Sequence, residues 1–478
     1  MYFYTFKINK TKITNIMTLI KSISGIRGTI GGNVGDNLTP IDAVKFASAY
    51  GTWLKQQRDK TDYKVVVGRD ARLSGDMIQN LVMNTLVGLG INVVDLGLST
   101  TPTVELAVPM EHADGGIILT ASHNPKQWNA LKLLNAKGEF LNGEEGQKIL
   151  EIAESDNMTF VEVDDLGKIT KNDAYFDLHV EEVLALDLVN KKAIEDANFK
   201  VVVDGVNSTG GIAIPLLLER LGVEAIELYC DPTGHFPHNP EPLKEHLGDL
   251  SDAVKKHNAD FGIVVDPDVD RLAFMDENGN MFGEEYTLVA CADWVLSQTP
   301  GNTVSNMSST RALRDVTEKH GGTYEASAVG EVNVVELMKK NNAVIGGEGN
   351  GGIIYPASHY GRDALVGVAL FLSLLADKKI SVSELRKTYT SYFMSKEKIE
   401  LTPTLDVDAI LKAMENKYSN ENLTTIDGVK IDFAESWAHL RKSNTEPIIR
   451  IYTEAKSQEA ADTLAEKIIS EIKEIANI

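Results

Sequence analysis

Residues Tyr63–Leu98 read YKVVVGRDARLSGDMIQNLVMNTLVGLGINVVDLGL. The β-branched run KVVVG leads into a polar loop. DMIQNLVMNTLVGLG then spaces its apolar residues as a helix does, and INVVDLG returns to β-branched residues. Strand, helix and strand in so short a span mean a helical crossover between parallel strands. The unit recurs. Phe199–Leu228 contains KVVVDG, the loop VNSTGG, the helical IAIPLLLERLG and VEAIEL, and a looser copy from Thr303 runs TVSNMSS, RALRDVTEKHG and GTYEASAVG. These copies stand too far apart for a solenoid and read as three related α/β domains with parallel or mixed sheets, produced by duplication. From about Ser381 the texture changes: SVSELRKTYTSYF reads as a helix, KEKIEL as a strand and VDAILKAMENKY as a helix. Strands then surround RKSNTEPIIRIYTEA, and the amphipathic QEAADTLAEKIISEIKEI closes a separate α+β domain. Boundaries near 165, 275 and 383 divide the chain into domains 17–165, 166–275, 276–383 and 384–478.

The 478 residues, 43% apolar and 24% charged, suffice for several buried cores and do not have the composition of a disordered tail. Forty-seven basic against 69 acidic side chains leave a net charge of −22, which argues against a protein that grips a phosphate backbone. Nucleic acid is therefore not an expected partner. Cys230 and Cys291 are the two cysteines, and no CxxC or Cys/His spacing is present. That excludes a disulfide scaffold and a zinc module, and it fits a reducing cytoplasm. No run of 18 apolar residues occurs, so no membrane-spanning helix is expected. The first sixteen residues, MYFYTFKINKTKITNI, have no continuous apolar core or small-residue cleavage site and do not read as a signal peptide. Met17 opens MTLIKSISGIRGTIGG, a natural domain beginning, so residues 1–16 read as a dispensable extension, the alternative being an added edge strand.

Four short stretches carry chemistry. TASHNP, Thr120–Pro125, follows the apolar run GGIIL. A serine leaving a buried strand into a loop held by Asn124-Pro125 is where a rigid scaffold presents a nucleophile. His123 is its neighbour, but neighbours on an extended chain face opposite ways, so His123 is not automatically the base for Ser122. No GxSxG surrounds the serine, which removes a nucleophile elbow; an ordinary turn in which Ser122 caps the next helix also fits. DPDVDR, Asp266–Arg271, ends the strand FGIVV. Asp266, Asp268 and Asp270 at alternate positions converge on one side, where their repulsion calls for a cation, and oxygen-only ligands select Mg²⁺ before Ca²⁺. With Glu277 they also occupy positions 1, 3, 5 and 12 of an EF-hand loop. Arg271 stands where that loop needs glycine, and the strand RLAFM replaces its ligand-bearing turn, which leaves a solvated acidic turn as the other reading.

GEGNGG, Gly347–Gly352, formally matches GxGxxG. Glu348 would set a negative charge beside a pyrophosphate, and Pro356 follows where a helix should open, so a dinucleotide site is contradicted. A tight loop presenting Glu348 and Asn350 suits sugar hydroxyls, unless it is a plain surface turn. RKSNTEP, Arg441–Pro447, with Arg450 on the following strand, groups guanidinium, hydroxyl, amide and loop N–H donors. A phosphate dianion accepts that set, and a solvated basic turn would contain it too.

In this order, one per domain, the four stretches resemble the α-D-phosphohexomutase family over nearly the whole chain from Met17. The resemblance implies an α/β fold of four domains around a central cleft: three similar α/β mixed-sheet domains plus a C-terminal α+β, TATA-binding-like domain. It implies that Ser122 is a phosphoserine that gives its phosphoryl group to a bound sugar phosphate. Asp266, Asp268 and Asp270, with the phosphoserine oxygen of Ser122, would hold one Mg²⁺. Arg27 of SGIRG and Arg271 fall near the transferring group; Lys132 of NALK falls at the general acid or base position, and His123 joins this catalytic set. Glu348 and Asn350 match the sugar-hydroxyl loop, and Arg441, Ser443, Asn444, Thr445 and Arg450 the holder of the phosphate that is not reacting.

The implied reaction interconverts hexose 6-phosphate and hexose 1-phosphate through a 1,6-bisphosphate, which also serves as activator. Sugar phosphates are the implied partners, with no nucleic acid and no membrane, for a cytoplasmic monomer or homodimer. Many relatives have GExSGH in the sugar loop, where Asn350 here replaces the serine and Gly352 the histidine. TASHNP and the Asn of RKSNTEP resemble the phosphomannomutase and phosphoglucomutase branch, and Thr-Glu-Pro with IIRIYTEA is similar to phosphoglucosamine mutases. Glucosamine phosphate is the expected substrate, with mannose or glucose phosphate as the alternative. A metal-dependent sugar-phosphate phosphatase, in which water takes the phosphoryl group from Ser122, is the more distant one. A catalytically silent sugar-phosphate sensor would tolerate loss of Ser122 or an aspartate, and all four are present.

Overall fold

Val65, Val66 and Val67 are fully buried, because their strand, Tyr63–Arg69, is covered on both faces as an interior parallel strand must be. It lies between Ile91–Leu98 and Gly115–Leu119, parallel to both, with Val65 opposite Val93 and Gly115. Trp128–Leu134, Gly25–Thr29 and Ile20–Ser22 extend the sheet antiparallel on one side, and Ile169–Lys171 adds to the other edge. Helices Pro40–Gln57, Gly75–Gly88 and Gly143–Ser155 cover one face and Thr101–Met110 the other. The computed structural model describes residues 17–22, 25–155, 157–400, 405–442 and 448–476; the extension expected at residues 1–16 lies outside them.

The same logic repeats twice. Lys200–Asp204 runs parallel to Glu224–Leu228 and Phe261–Val265, and Leu272–Met275 turns back antiparallel. Asn302–Asn306 runs parallel to Tyr324–Ser327 and Ala343–Glu348, and Gly352–Ile354 turns back. All three strand–helix–strand units are thus parallel crossovers within mixed sheets. The fourth sheet is antiparallel, in the order Phe393–Glu400, Ile448–Ala455, Trp437–Lys442, Val429–Asp432, Asn422–Thr424, with helices Val407–Lys417 and Gln458–Ala476 packed on it.

One helix ties the second and third domains together beside the site. Helix Ala364–Lys378 is apolar nearly all round because it is sandwiched, its Leu365, Phe371 and Leu372 completing one core that the second and third sheets share. Phe371 stacks on Phe274 of the second sheet at 3.8 Å between ring centres. The helix expected over SVSELRKTYTSYF is a correction: it covers only Val382–Lys387, and the chain is extended again from Phe393. Ser381 and Glu384 form a capping box that starts it, whereas the β-branched and aromatic residues from Thr388 onward favour extended backbone. Among the described residues no helix is long and apolar enough to cross a membrane.

Candidate active site

The serine loop, the aspartate loop and the glycine loop leave the carboxyl ends of strands Gly115–Leu119, Phe261–Val265 and Ala343–Glu348, the edge at which α/β sheets form ligand crevices. Ser122 is 4% exposed and has φ +48°, a left-handed conformation uncommon for a residue with a Cβ. Its N–H donates to Thr120 Oγ1 (2.9 Å), and its Oγ donates to Asp266 Oδ2 (2.6 Å) on the second domain. His123 Nδ1 is 3.4 Å from the same Oγ. Burial first, then Arg271 and Arg27, pushes His123 down to about 2, so its imidazole is neutral.

Asp266, Asp268 and Asp270 are fully buried, and one oxygen from each lies within 4.8 Å of the others. Val269 between them has φ +64°, a strained value for a β-branched residue, as loops that present ligands often show. Burial, then Asp268 and Asp270, raises Asp266 well above the usual carboxylate range. Burial would raise Asp268 too, but the Lys132 ammonium, 2.7 Å away, holds it below that range. Lys132 also reaches Asp270 Oδ2 (3.2 Å), and Thr101 Oγ1 donates to Asp268 Oδ2 (2.6 Å). The opposite oxygens, Asp268 Oδ1 and Asp270 Oδ1, are buried with no hydrogen-bond partner among the described residues. A hard divalent cation would supply what these oxygens lack, so the donor set fits such an ion.

Glu348 ends its strand and is buried, accepting from Asn306 Nδ2 (2.9 Å) and Arg362 Nη1 (2.8 Å). Asn350 Oδ1 accepts from Gly352 N (3.2 Å), which tightens the turn. Leu272 N donates to Gly351 O (3.1 Å), tying the glycine loop to the strand after the aspartates. A cavity of about 280 Å³ brings His123, Arg271, Glu348, Asn350, Arg441 and Arg450 to one surface, with at least one residue from each domain. Arg27 Nη1 donates to Asn124 Oδ1 (3.0 Å) and Arg271 Nη1 pairs with Glu241 (3.2 Å). Arg441 and Arg450 face each other across paired strands, and Arg441 Nε is held by Asp427 (2.8 Å). Ser443, Asn444 and Thr445 lie outside the described residues.

Sequence reasoning missed Arg72, Thr101, Arg362 and His439. Arg72 is 1% exposed and donates to the carbonyls of Asn124 (2.6 Å), Pro125 (2.8 Å) and Trp128 (3.0 Å), which makes it the internal frame of the serine loop. Its signal was its place just past a buried strand, in a segment read only as polar loop. His439 Nδ1 meets Ser308 Oγ at 2.9 Å, across the third and fourth domains. A single histidine within a strand carries no such signal.

Alpha/beta/alpha domains I, II and III of phosphoglucomutase/phosphomannomutase match residues 19–159, 174–279 and 283–392, and the C-terminal domain of the same enzymes matches 395–471. Fold and site together define a phosphohexomutase, an isomerase. A phosphoglucomutase/phosphomannomutase of Thermococcus kodakarensis is 35% identical over 440 residues, 91% of this chain and 95% of that protein. A phosphoglucosamine/phosphogalactosamine mutase of Sulfurisphaera tokodaii is 32% identical over 94% of this chain and 97% of its own. The crystal structure of a phosphoglucomutase/phosphomannomutase family protein from Burkholderia thailandensis superposes with a TM-score of 0.80 at 25% identity, covering 96% of this chain and 97% of that one. The chain belongs to the phosphoglucomutase/phosphomannomutase family.

Proposed function

We propose that this phosphohexomutase interconverts glucosamine 6-phosphate and glucosamine 1-phosphate through a phosphoserine at Ser122 and a 1,6-bisphosphate intermediate, which also acts as activator. The observation that carries the reading is the approach of Ser122 Oγ to Asp266 Oδ2 at 2.6 Å, which sets a nucleophile against a buried carboxylate triad. Mg²⁺ would be held by Asp266, Asp268, Asp270 and the Ser122 oxygen, and it would neutralise charge on the transferring phosphoryl group.

The chain's own residues supply the rest. Arg27 and Arg271 flank the serine loop and offset phosphoryl charge, which a loose transfer needs more than covalent help. Lys132, held as an ammonium by two carboxylates, enters as an acid and becomes a base only after giving up its proton. His123, neutral, orients the serine oxygen. Glu348 and Asn350 take sugar hydroxyls. Arg441 and Arg450, with Ser443, Asn444 and Thr445 as the sequence suggests, take the distal phosphate, so the bisphosphate can turn over and present its other end to Ser122. The amino sugar is favoured because Glu241 and Glu348 line the cleft, where a 2-ammonium group meets carboxylates. The free thiols of Cys230 and Cys291 suit a cytoplasmic setting.

A phosphorus NMR time course with Mg²⁺, catalytic sugar bisphosphate and glucosamine, mannose or glucose 6-phosphate tests this. A 1-phosphate formed fastest from glucosamine 6-phosphate, without free phosphate, is the expected result. A faster mannose or glucose tube would move the substrate assignment, and free phosphate alone would establish a phosphatase.

A further inference from the structure

Arg362, 7% exposed, precedes the N-cap of the buried helix Ala364–Lys378. Its guanidinium reaches three carboxylates that belong to different parts of the site. Nη2 donates to Asp270 Oδ2 (2.6 Å), Nη1 to Glu348 Oε2 (2.8 Å) and Nε to Glu331 Oε2 (3.1 Å). Its backbone N–H adds a fourth bond, to Glu331 Oε1 (3.0 Å). Asp270 belongs to the aspartate triad and Glu348 to the glycine loop, so one cation is shared by the two.

The position of this cation is fixed from both sides. Asp363 caps the helix through Leu365 N (2.8 Å) and Val366 N (3.2 Å), and its Oδ2 is held by His179 Nε2 (2.8 Å) and His359 Nε2 (3.2 Å). Ala364 N donates to Val269 O (3.2 Å), within the aspartate loop itself. The side chain passes over Gly352: a Cβ there would lie 2.3 Å from Arg362 Cδ, closer than any packed side chain tolerates. Only glycine at 352 leaves Arg362 room to span the two loops, which gives a physical reason for the glycine at this place in the loop.

We infer that Arg362 is a positioning residue that makes cation binding at the aspartate triad and sugar-phosphate binding at the Glu348 loop depend on each other. This rests on the cation-site and sugar-loop assignments made above. Asp270, held by Arg362 through Oδ2, would also serve a dication on the triad, and the guanidinium's hold would then move toward Glu348 and Glu331 and set the loop. Linkage then requires the reverse effect of equal size: a sugar phosphate on the loop changes the affinity of the triad for its ion.

The test is Mn²⁺ binding to the full chain, read from the electron paramagnetic resonance of free Mn²⁺, with and without glucosamine 6-phosphate. The ratio of the two dissociation constants measures the coupling, part of which is direct contact between ion and phosphate. Gly352→Ala keeps every charge and displaces chiefly the Arg362 stem, its Cβ pressing far less on Asn350 Oδ1 (3.2 Å), and Arg362→Gln removes the shared cation. We expect the ratio to fall at least about fivefold in Gly352→Ala and further in a folded Arg362→Gln. An unchanged ratio in Gly352→Ala overturns the role of Arg362 while leaving the cation site standing. A wild-type protein that binds Mn²⁺ with no effect of the sugar phosphate overturns it as well, and one that binds no Mn²⁺ overturns the cation site and the inference together.

Discussion

Arg72 Nη2 donates to the main-chain oxygen of Ser122 and, at 2.6 Å, to that of Asn124, so the loop carrying the serine is built around a buried guanidinium. Asp70, also fully buried, balances its charge at 3.0 Å from Nε. Replacing Arg72 by alanine strands Asp70 and several loop carbonyls at once. A loss of about 3–5 kcal/mol is expected, as for breaking a buried ion pair from one side. Urea denaturation of Arg72→Ala against wild type measures it. A loss under about 1 kcal/mol would mean that water frames the loop as well as the arginine does.

Ser122→Ala separates chemistry from binding. The side chain is small and buried, and its Oγ bonds to Asp266 rather than to a packing partner, so the fold should survive. Mutase turnover should drop by about 10³-fold or more, as nucleophile removal does elsewhere. Sugar-phosphate affinity, read by calorimetry, should stay within a few-fold. Retained turnover would remove the phosphoserine from the mechanism.

The three crossover units were legible because each pairs a β-branched run with a helix-spaced run, and each folds as a parallel crossover. The aspartate triad was legible because alternate residues near a strand end share a side, and the three carboxylates do meet. What one strand cannot announce is a partner on another domain. Lys132 read as a proton carrier, yet its distinguishing contacts are Asp268 and Asp270, more than a hundred residues away. Arg362 hid in YGRDAL, where the apolar run that follows dominates the reading, and its meaning comes from Glu331, Glu348 and Asp270 arriving from three directions. The helix expected over SVSELRKTYTSYF is real only at its start, Val382–Lys387, because the β-formers from Thr388 onward favour extended backbone.

His439 predicts an acid sensitivity. Burial first, then Lys430, holds it at about 4, and its neutral ring bridges Ser308 Oγ (2.9 Å) and Asp427 O (2.7 Å). Its folded value is below its unfolded value near 6.5, so between the two the unfolded chain binds the extra proton. Its contribution is therefore complete above about pH 6.5 and is lost as pH falls toward 4, by at most about 3 kcal/mol. Denaturation midpoints at pH 7 and pH 5 should show a smaller pH-dependent drop in His439→Gln than in wild type. Equal drops in both would place the acid sensitivity elsewhere.

A divalent cation should stabilise the protein as well as activate it. Asp266, Asp268 and Asp270 are crowded together and fully buried, which lifts Asp266 out of the usual carboxylate range, while Lys132 and Arg362 pair with Asp268 and Asp270. An ion that binds the folded triad and not the unfolded chain adds about 2.7 kcal/mol at one hundred times its dissociation constant. Chelator-treated protein should thus melt at lower temperature than Mg²⁺-loaded protein and show no turnover, with Mg²⁺ restoring both. Ca²⁺ should restore stability better than turnover, because its looser coordination fills the carboxylate site without the tight geometry that phosphoryl transfer needs. Asp268→Asn should abolish the Mg²⁺-dependent rise in melting temperature. A rise that persists in that variant would locate the stabilising ion outside the triad.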